Sequence, residues 1–209
     1  MADSTFFRSS TDRLKQRLII IVLLLAAMWL LELADVAILQ QSLNRLGVRP
    51  RQPLGLWGIL LMPFLHGGLG HLAANTLPFL VLGSLVLWRR VTDFLTVTIL
   101  TTLFTGLALW LVGSSGYTYI GASGLVFGYF GFLVFRGYFE RSPQSLLIAL
   151  VVVVLYGGLL LGVVPRNDGI SWEAHLFGFL SGALCARLLS RQKSPEEPAL
   201  IITRVEHDD

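Results

Sequence analysis

The sequence predicts an all-α protein that crosses a membrane several times. Of its 209 residues 54% are hydrophobic and only 14% charged, and the mean hydropathy is +0.70. Apolar runs recur between charged or turn-forming residues, and the basic residues fall unequally on alternate connections. Soluble domains carry about 25% charged residues, so a chain this apolar belongs in lipid.

Taken in order, residues 1–17 read as a short basic cytoplasmic arm. Six hydrophobic stretches follow, at about Leu18–Leu33, His71–Trp88, Phe94–Val112, Gly121–Phe135, Leu146–Val164 and His175–Leu189. They predict a six-transmembrane-helix bundle spanning residues 18–189 as one membrane domain. Several stretches are near the lower length limit for a span, as expected of a helix that begins inside the membrane behind a loop packed in protein. The longest connection, residues 34–70, is apolar from Leu54 to Leu65 and is expected to sink partly into the outer leaflet, with Trp57 near the interface. Residues 190–209 are charged and contain proline, which predicts a flexible cytoplasmic tail. The first apolar run lacks a small-residue cleavage pattern and is expected to persist as the first span. The lone Cys185 fits a small buried hydrophobe and supports neither a disulfide nor a metal site.

Charge sets the expected orientation. Arg8, Arg13, Lys15, Arg17, Arg89, Arg90, Arg136, Arg141, Arg187, Arg191, Lys193 and Arg204 fall on one side of a six-span arrangement; Arg45, Arg49, Arg51 and Arg166 fall on the other. The positive-inside rule then puts both termini in the cytoplasm. Topology accounts for the net charge of +3, and no nucleic-acid partner is called for.

Two reactive side chains stand at matching depth. From Ser123 to Arg136, from His175 to Arg187 and from Asn75 to Arg89 the helix rise gives roughly 18 to 21 Å. If the arginines mark one interface, all three polar residues lie about 10 Å below the opposite surface of a core about 30 Å thick. Polar groups are costly there and point to a functional site. A serine needs a base to become a nucleophile, and it needs donors for the developing oxyanion. Gly121, Gly124, Gly128 and Gly131 on one helix, and Gly178 and Gly182 on another, allow the close small-xxx-small packing that would bring Ser123 to His175. His71 and Asn75, four apart on one helix face, can aim with the backbone N–H of Ser123 at a single oxyanion.

The acidic residues read differently. Glu173, two residues before His175, faces away from it on a helix, so Glu173 and Asp168 are expected in a solvated outer loop. Glu32 and Asp35 are expected at the interface. No carboxylate sits mid-span, which removes an aspartyl dyad, and the zinc-protease pattern His-Glu-xx-His is absent. Three histidines, His66, His71 and His175, could hold a metal, but two have roles in the serine arrangement. Neither a metal nor a cofactor is called for.

Gly121-Ala122-Ser123-Gly124 with Gly128 and Gly131, His71-xxx-Asn75, and Ala174-His175-xx-Gly178-xxx-Gly182 together resemble the rhomboid intramembrane serine proteases. The resemblance covers residues 18–189. It implies a six-helix rhomboid-type bundle in which Ser123 and His175 form a catalytic dyad without an acid, with His71 and Asn75 as oxyanion residues and Gly121, Gly124, Phe127 and Gly178 in support. It also implies transmembrane protein substrates, an integral protein of a bacterial inner membrane, and a site open to the outer side. His66 resembles a histidine with a structural role. Two departures stand out: Trp57-Gly58 replaces the family's Trp-Arg, and Phe127 replaces a tyrosine that stacks on the catalytic histidine. A rhomboid-like protein that binds transmembrane helices without cleaving them is the alternative, although such proteins typically lack the serine or histidine that this chain keeps.

Overall fold

The computed structural model describes residues 10–165 and 171–190. They form α1 (Ser10–Ala37), α2 (Gly58–Leu61), α3 (Leu69–Arg89), α4 (Val91–Val112), α5 (Ser123–Glu140), α6 (Pro143–Tyr156) and α7 (Trp172–Ser190), with four 3-10 helices. Among the described residues there is no strand, only an isolated antiparallel bridge between Val48 and Tyr119. Residues 1–9, Arg166, Asp168 and the tail from residue 191 lie outside the described residues.

Among the described residues four segments are long and apolar enough to cross a membrane: Lys15–Ala37, Leu69–Arg89, Val91–Val112 and Pro143–Val163. The remaining two of the six expected stretches correspond to α5 and α7. These two helices pack on each other more extensively than any other pair. Most of α5 is buried in protein and can carry glycine and charge, whereas α7 packs one face on α5 and exposes Leu180, Leu184 and Leu188 on the other. On α6, by contrast, Leu147, Val154 and Leu155 face outward.

Two boundaries differ from expectation. α1 already begins at Ser10, within the segment read as a basic arm. The fifth stretch divides, because α6 ends at Tyr156 and Gly157–Val163 continues as a 3-10 helix. Gly157 and Gly158 explain the change, since glycine is the poorest helix former after proline. The start of α6 is well specified: Pro143 fills the first turn and the Ser142 hydroxyl accepts the Ser145 N–H at 3.2 Å.

The core centres on α5. Tyr129, Phe130 and Phe132 are fully buried with Phe79 of α3 and Phe94 of α4. The Tyr129 hydroxyl is 2.8 Å from Thr98 Oγ1, which satisfies its polar tip. At the C-terminal end of α5 the arginines are not simple interface markers. Buried Arg136 binds Asp93 of α4 and Glu140, each at 2.7 Å, and Glu140 also pairs with Arg89 of α3. Removed from water, a guanidinium needs such partners.

The connection from α1 to α3 is braced rather than loose. Arg51, in the left-handed region at φ 57°, donates to the carbonyls of Leu111 and Gly113 at 3.0 Å and to Ser115 Oγ. Trp110 Nε1 donates to the Gln52 carbonyl at 2.8 Å. Val48 and Tyr119 exchange backbone hydrogen bonds of 3.0 and 2.9 Å. Here the missing Trp-Arg is explained: a Cβ on Gly58 would lie 2.2 Å from the Gly47 carbonyl, so no side chain fits there. Arg51 and Trp110 anchor the loop instead, and Trp57 points outward at 72% exposure.

Candidate active site

Ser123 opens α5 behind a tight turn. Gly121 has φ 111°, a conformation L side chains rarely adopt, and a Cβ there would stand 2.8 Å from the His71 ring. The Gly121 N–H donates to the Met62 carbonyl at 2.9 Å. The Ala122 N–H donates to His66 Nε2 at 3.3 Å. Burial, and then the neighbouring His71 ring, pull the His66 pKa down to about 4, which keeps the imidazole neutral and able to accept. His66 thus holds the turn before Ser123, in keeping with a structural role. As the first residue of α5, Ser123 presents a backbone N–H with no intrahelical acceptor.

The expected glycine seam is present. A Cβ on Gly178 would lie 2.2 Å from the Gly124 carbonyl oxygen, and one on Gly182 would lie 1.9 Å from that of Gly128. Backbone meets backbone along α5 and α7. This approach brings buried His175 into the cavity that half-buried Ser123 lines.

Phe127 stacks on His175 with ring centroids 4.1 Å apart and planes 5° from parallel. The stack survives the loss of a tyrosine hydroxyl, because ring contact requires only the face. His175 Nδ1 lies 3.0 Å from the Gly162 carbonyl. A carbonyl can only accept, so Nδ1 carries the proton and Nε2 is the basic nitrogen.

His71 and Asn75 lie near the start of α3. The Gly67 N–H is 3.4 Å from His71 Nδ1, so the neutral ring has its proton on Nε2, the nitrogen beside Gly121. Asn75 Nδ2 donates to the His71 carbonyl at 3.0 Å, leaving the amide a second N–H. His71, Asn75, Ser123, Phe127 and His175 all line one cavity of ≈ 590 Å³.

Three acidic residues have roles that the sequence did not suggest. Glu173 is not merely solvated: its Oε1 accepts from Ser114 Oγ at 3.0 Å and from the Tyr119 hydroxyl at 3.1 Å. Burial raises the Tyr119 pKa, so the phenol stays protonated as a donor. The loop before Ser123 is thereby tied to the start of α7. Glu32 is buried, and its Oε1 accepts the Gly68 N–H at 2.7 Å. Asp35, also buried, accepts the Leu43 N–H at 3.0 Å. Gly68 is the N-cap of α3 at φ 120°, so Glu32 fixes the turn that feeds His71. The only sequence signal for Glu32 is a carboxylate late in an apolar helix.

A family model described as the Rhomboid domain matches residues 53–192, more than half of the chain. The chain belongs to the rhomboid family. It is similar to an uncharacterized protein of Mycobacterium tuberculosis, 40% identical over 88% of this chain and 78% of that protein. A second uncharacterized relative, from Mycobacterium leprae, is 41% identical over 81% of this chain and 70% of its own length. RHOMBOID-like protein 4 of Arabidopsis thaliana is 31% identical over 64% of this chain and 34% of that protein. Family membership and the apolar helices make this rhomboid an integral membrane protein with bacterial relatives.

Proposed function

We propose that this rhomboid is an intramembrane serine endopeptidase that cleaves transmembrane or membrane-adjacent segments of other proteins. In this reading α1, α3, α4, α5, α6 with its 3-10 extension, and α7 are six spans of a bacterial inner membrane. Both termini are cytoplasmic, and the Ser123 end faces outward. The arm 1–17 and the tail 190–209 flank the membrane domain.

The observation that carries the reading is the shared cavity. Ser123 Oγ attacks the scissile carbonyl carbon while His175 Nε2 takes its proton, and the C–N bond breaks as His175 returns that proton to the leaving amine. Water then hydrolyses the acyl-enzyme by the same exchange. The oxyanion accepts from the Ser123 N–H, His71 Nε2–H and the second Asn75 N–H. The loop Val112–Ile120, with Ser114 and Ser115, admits water from the outer side. The α6 helix, of which only Ser145 and Val152 are buried, is the gate through which a substrate helix comes from lipid.

The deciding experiment is labelling by a fluorophosphonate serine-hydrolase probe in detergent. Wild type is expected to be labelled and Ser123→Ala to be blank; equal labelling of both sinks the assignment. A disulfide between the outer halves of α3 and α6 should block cleavage of a transmembrane substrate reversibly. Undiminished cleavage in the oxidised enzyme would place the gate elsewhere.

A further inference from the structure

A Ser-His pair without an acid leaves open what holds the imidazole in its working tautomer. We infer that the backbone carbonyl of Gly162 does this, making the 3-10 segment Gly157–Val163 the third member of the site. The inference rests on the serine-protease reading above.

Three observations converge. The Gly162 carbonyl accepts from His175 Nδ1 at 3.0 Å, the interaction that an acid makes in a triad, where it fixes the tautomer and stabilises the imidazolium. Phe127 stacks on the ring, so the base is clamped by one face and one edge. Gly162 itself can be nothing larger, since a Cβ there would meet Phe127 Cζ at 2.8 Å and His175 Nδ1 at 3.1 Å. A neutral carbonyl suits this depth, because a carboxylate in the same place would carry a large desolvation cost.

The segment continues directly from α6. The orienting group for the base therefore belongs to the element that borders the lipid opening. His175 holds its working tautomer only while Gly157–Val163 is seated against α7.

The first test uses wild-type protein in micelles with ¹⁵N-labelled histidine, the His175 signals being assigned by their loss in His175→Gln. A protonated Nδ1 is expected; the Nε2–H tautomer overturns the inference whatever the activity. The second compares Gly162→Ala with Gly70→Ala, an exposed position outside this segment whose added Cβ would meet nothing within 4 Å. Gly162→Ala should lower kcat by roughly 10- to 100-fold, no more than the low end of the roughly 10²–10⁴-fold that general-base catalysis supplies, because the base is misoriented and not removed, with KM unchanged. The acid limb of its kcat/KM profile should move to lower pH, because the imidazolium has lost an acceptor. Gly70→Ala should match wild type. A loss in Gly162→Ala that tracks a lowered melting temperature with no shift in the pH profile would mean packing alone, and would overturn the proposal. Absence of fluorophosphonate labelling in wild type overturns the protease reading and this one together. Labelling with the Nε2–H tautomer overturns only this one.

Discussion

The two ends of α5 treat polar groups in opposite ways. At its C-terminal end Arg136 is buried between Asp93 and Glu140, and the space beside this cluster is only ≈ 10 Å³. At its N-terminal end Ser123 faces a cavity of ≈ 590 Å³ shared with His71, Asn75 and His175. Charges that face one another join three helices. Polar side chains that face an opening remain available to a reacting group. One helix thus holds a closed, charge-paired end and an open end.

The sharpest way to break this contrast is at the open end. Ser123→Ala and His175→Ala should each abolish turnover, with the double variant no worse than either, because the two groups act as a unit. Residual cleavage above a vector control, measured on a fluorogenic transmembrane substrate, would remove the serine mechanism.

At the closed end, Arg136→Ala leaves Asp93 buried without its cation. It should cost about 3–5 kcal/mol, read as a lowered midpoint in denaturation from micelles, while the folded fraction labels normally at Ser123. A labelling defect larger than the folded fraction allows would show that the two ends are coupled. Asn75→Ala removes one oxyanion donor and should lower kcat by about 10²–10³ with probe labelling retained; wild-type kcat would make the amide structural. Glu32→Ala strands the Gly68 N–H and should cost about 1–3 kcal/mol, with Glu32→Gln milder because it keeps an acceptor. Equal melting points for the two variants would refute that role.

The last effect, confined to acid pH, concerns His66. Its folded pKa is depressed, so the unfolded chain binds the proton first on acidification. Its contribution to stability is complete above pH about 6.5 and is lost as pH falls toward 4. His66→Gln should flatten that part of the profile; an unchanged slope would assign the acid sensitivity elsewhere.

Local spacing made much of this legible. The glycines four apart on α5 and α7, and His71 with Asn75 on one turn, are patterns a helix converts directly into shared faces. What stayed hidden depends on partners far apart in sequence or on backbone atoms. Asp93 and Arg136 are separated by 43 residues and Glu32 and Gly68 by 36, and no period links them. The Gly162 carbonyl has no side chain to announce it. Arg51 reads as one more outer arginine until the loop folds it onto the end of α4. The glycines and the buried arginine of α5 have the same origin, since only the packed structure shows that protein surrounds most of that helix.

The glycine contacts between α5 and α7 have a genetic consequence. At Gly178 and Gly182 the opposing atoms are carbonyl oxygens of Gly124 and Gly128, and those residues have no side chain left to shrink. A larger residue on one side therefore cannot be rescued by a smaller one on the other. A suppressor screen starting from Gly178→Val should return revertants and distant stabilising changes, and no compensating allele within the seam.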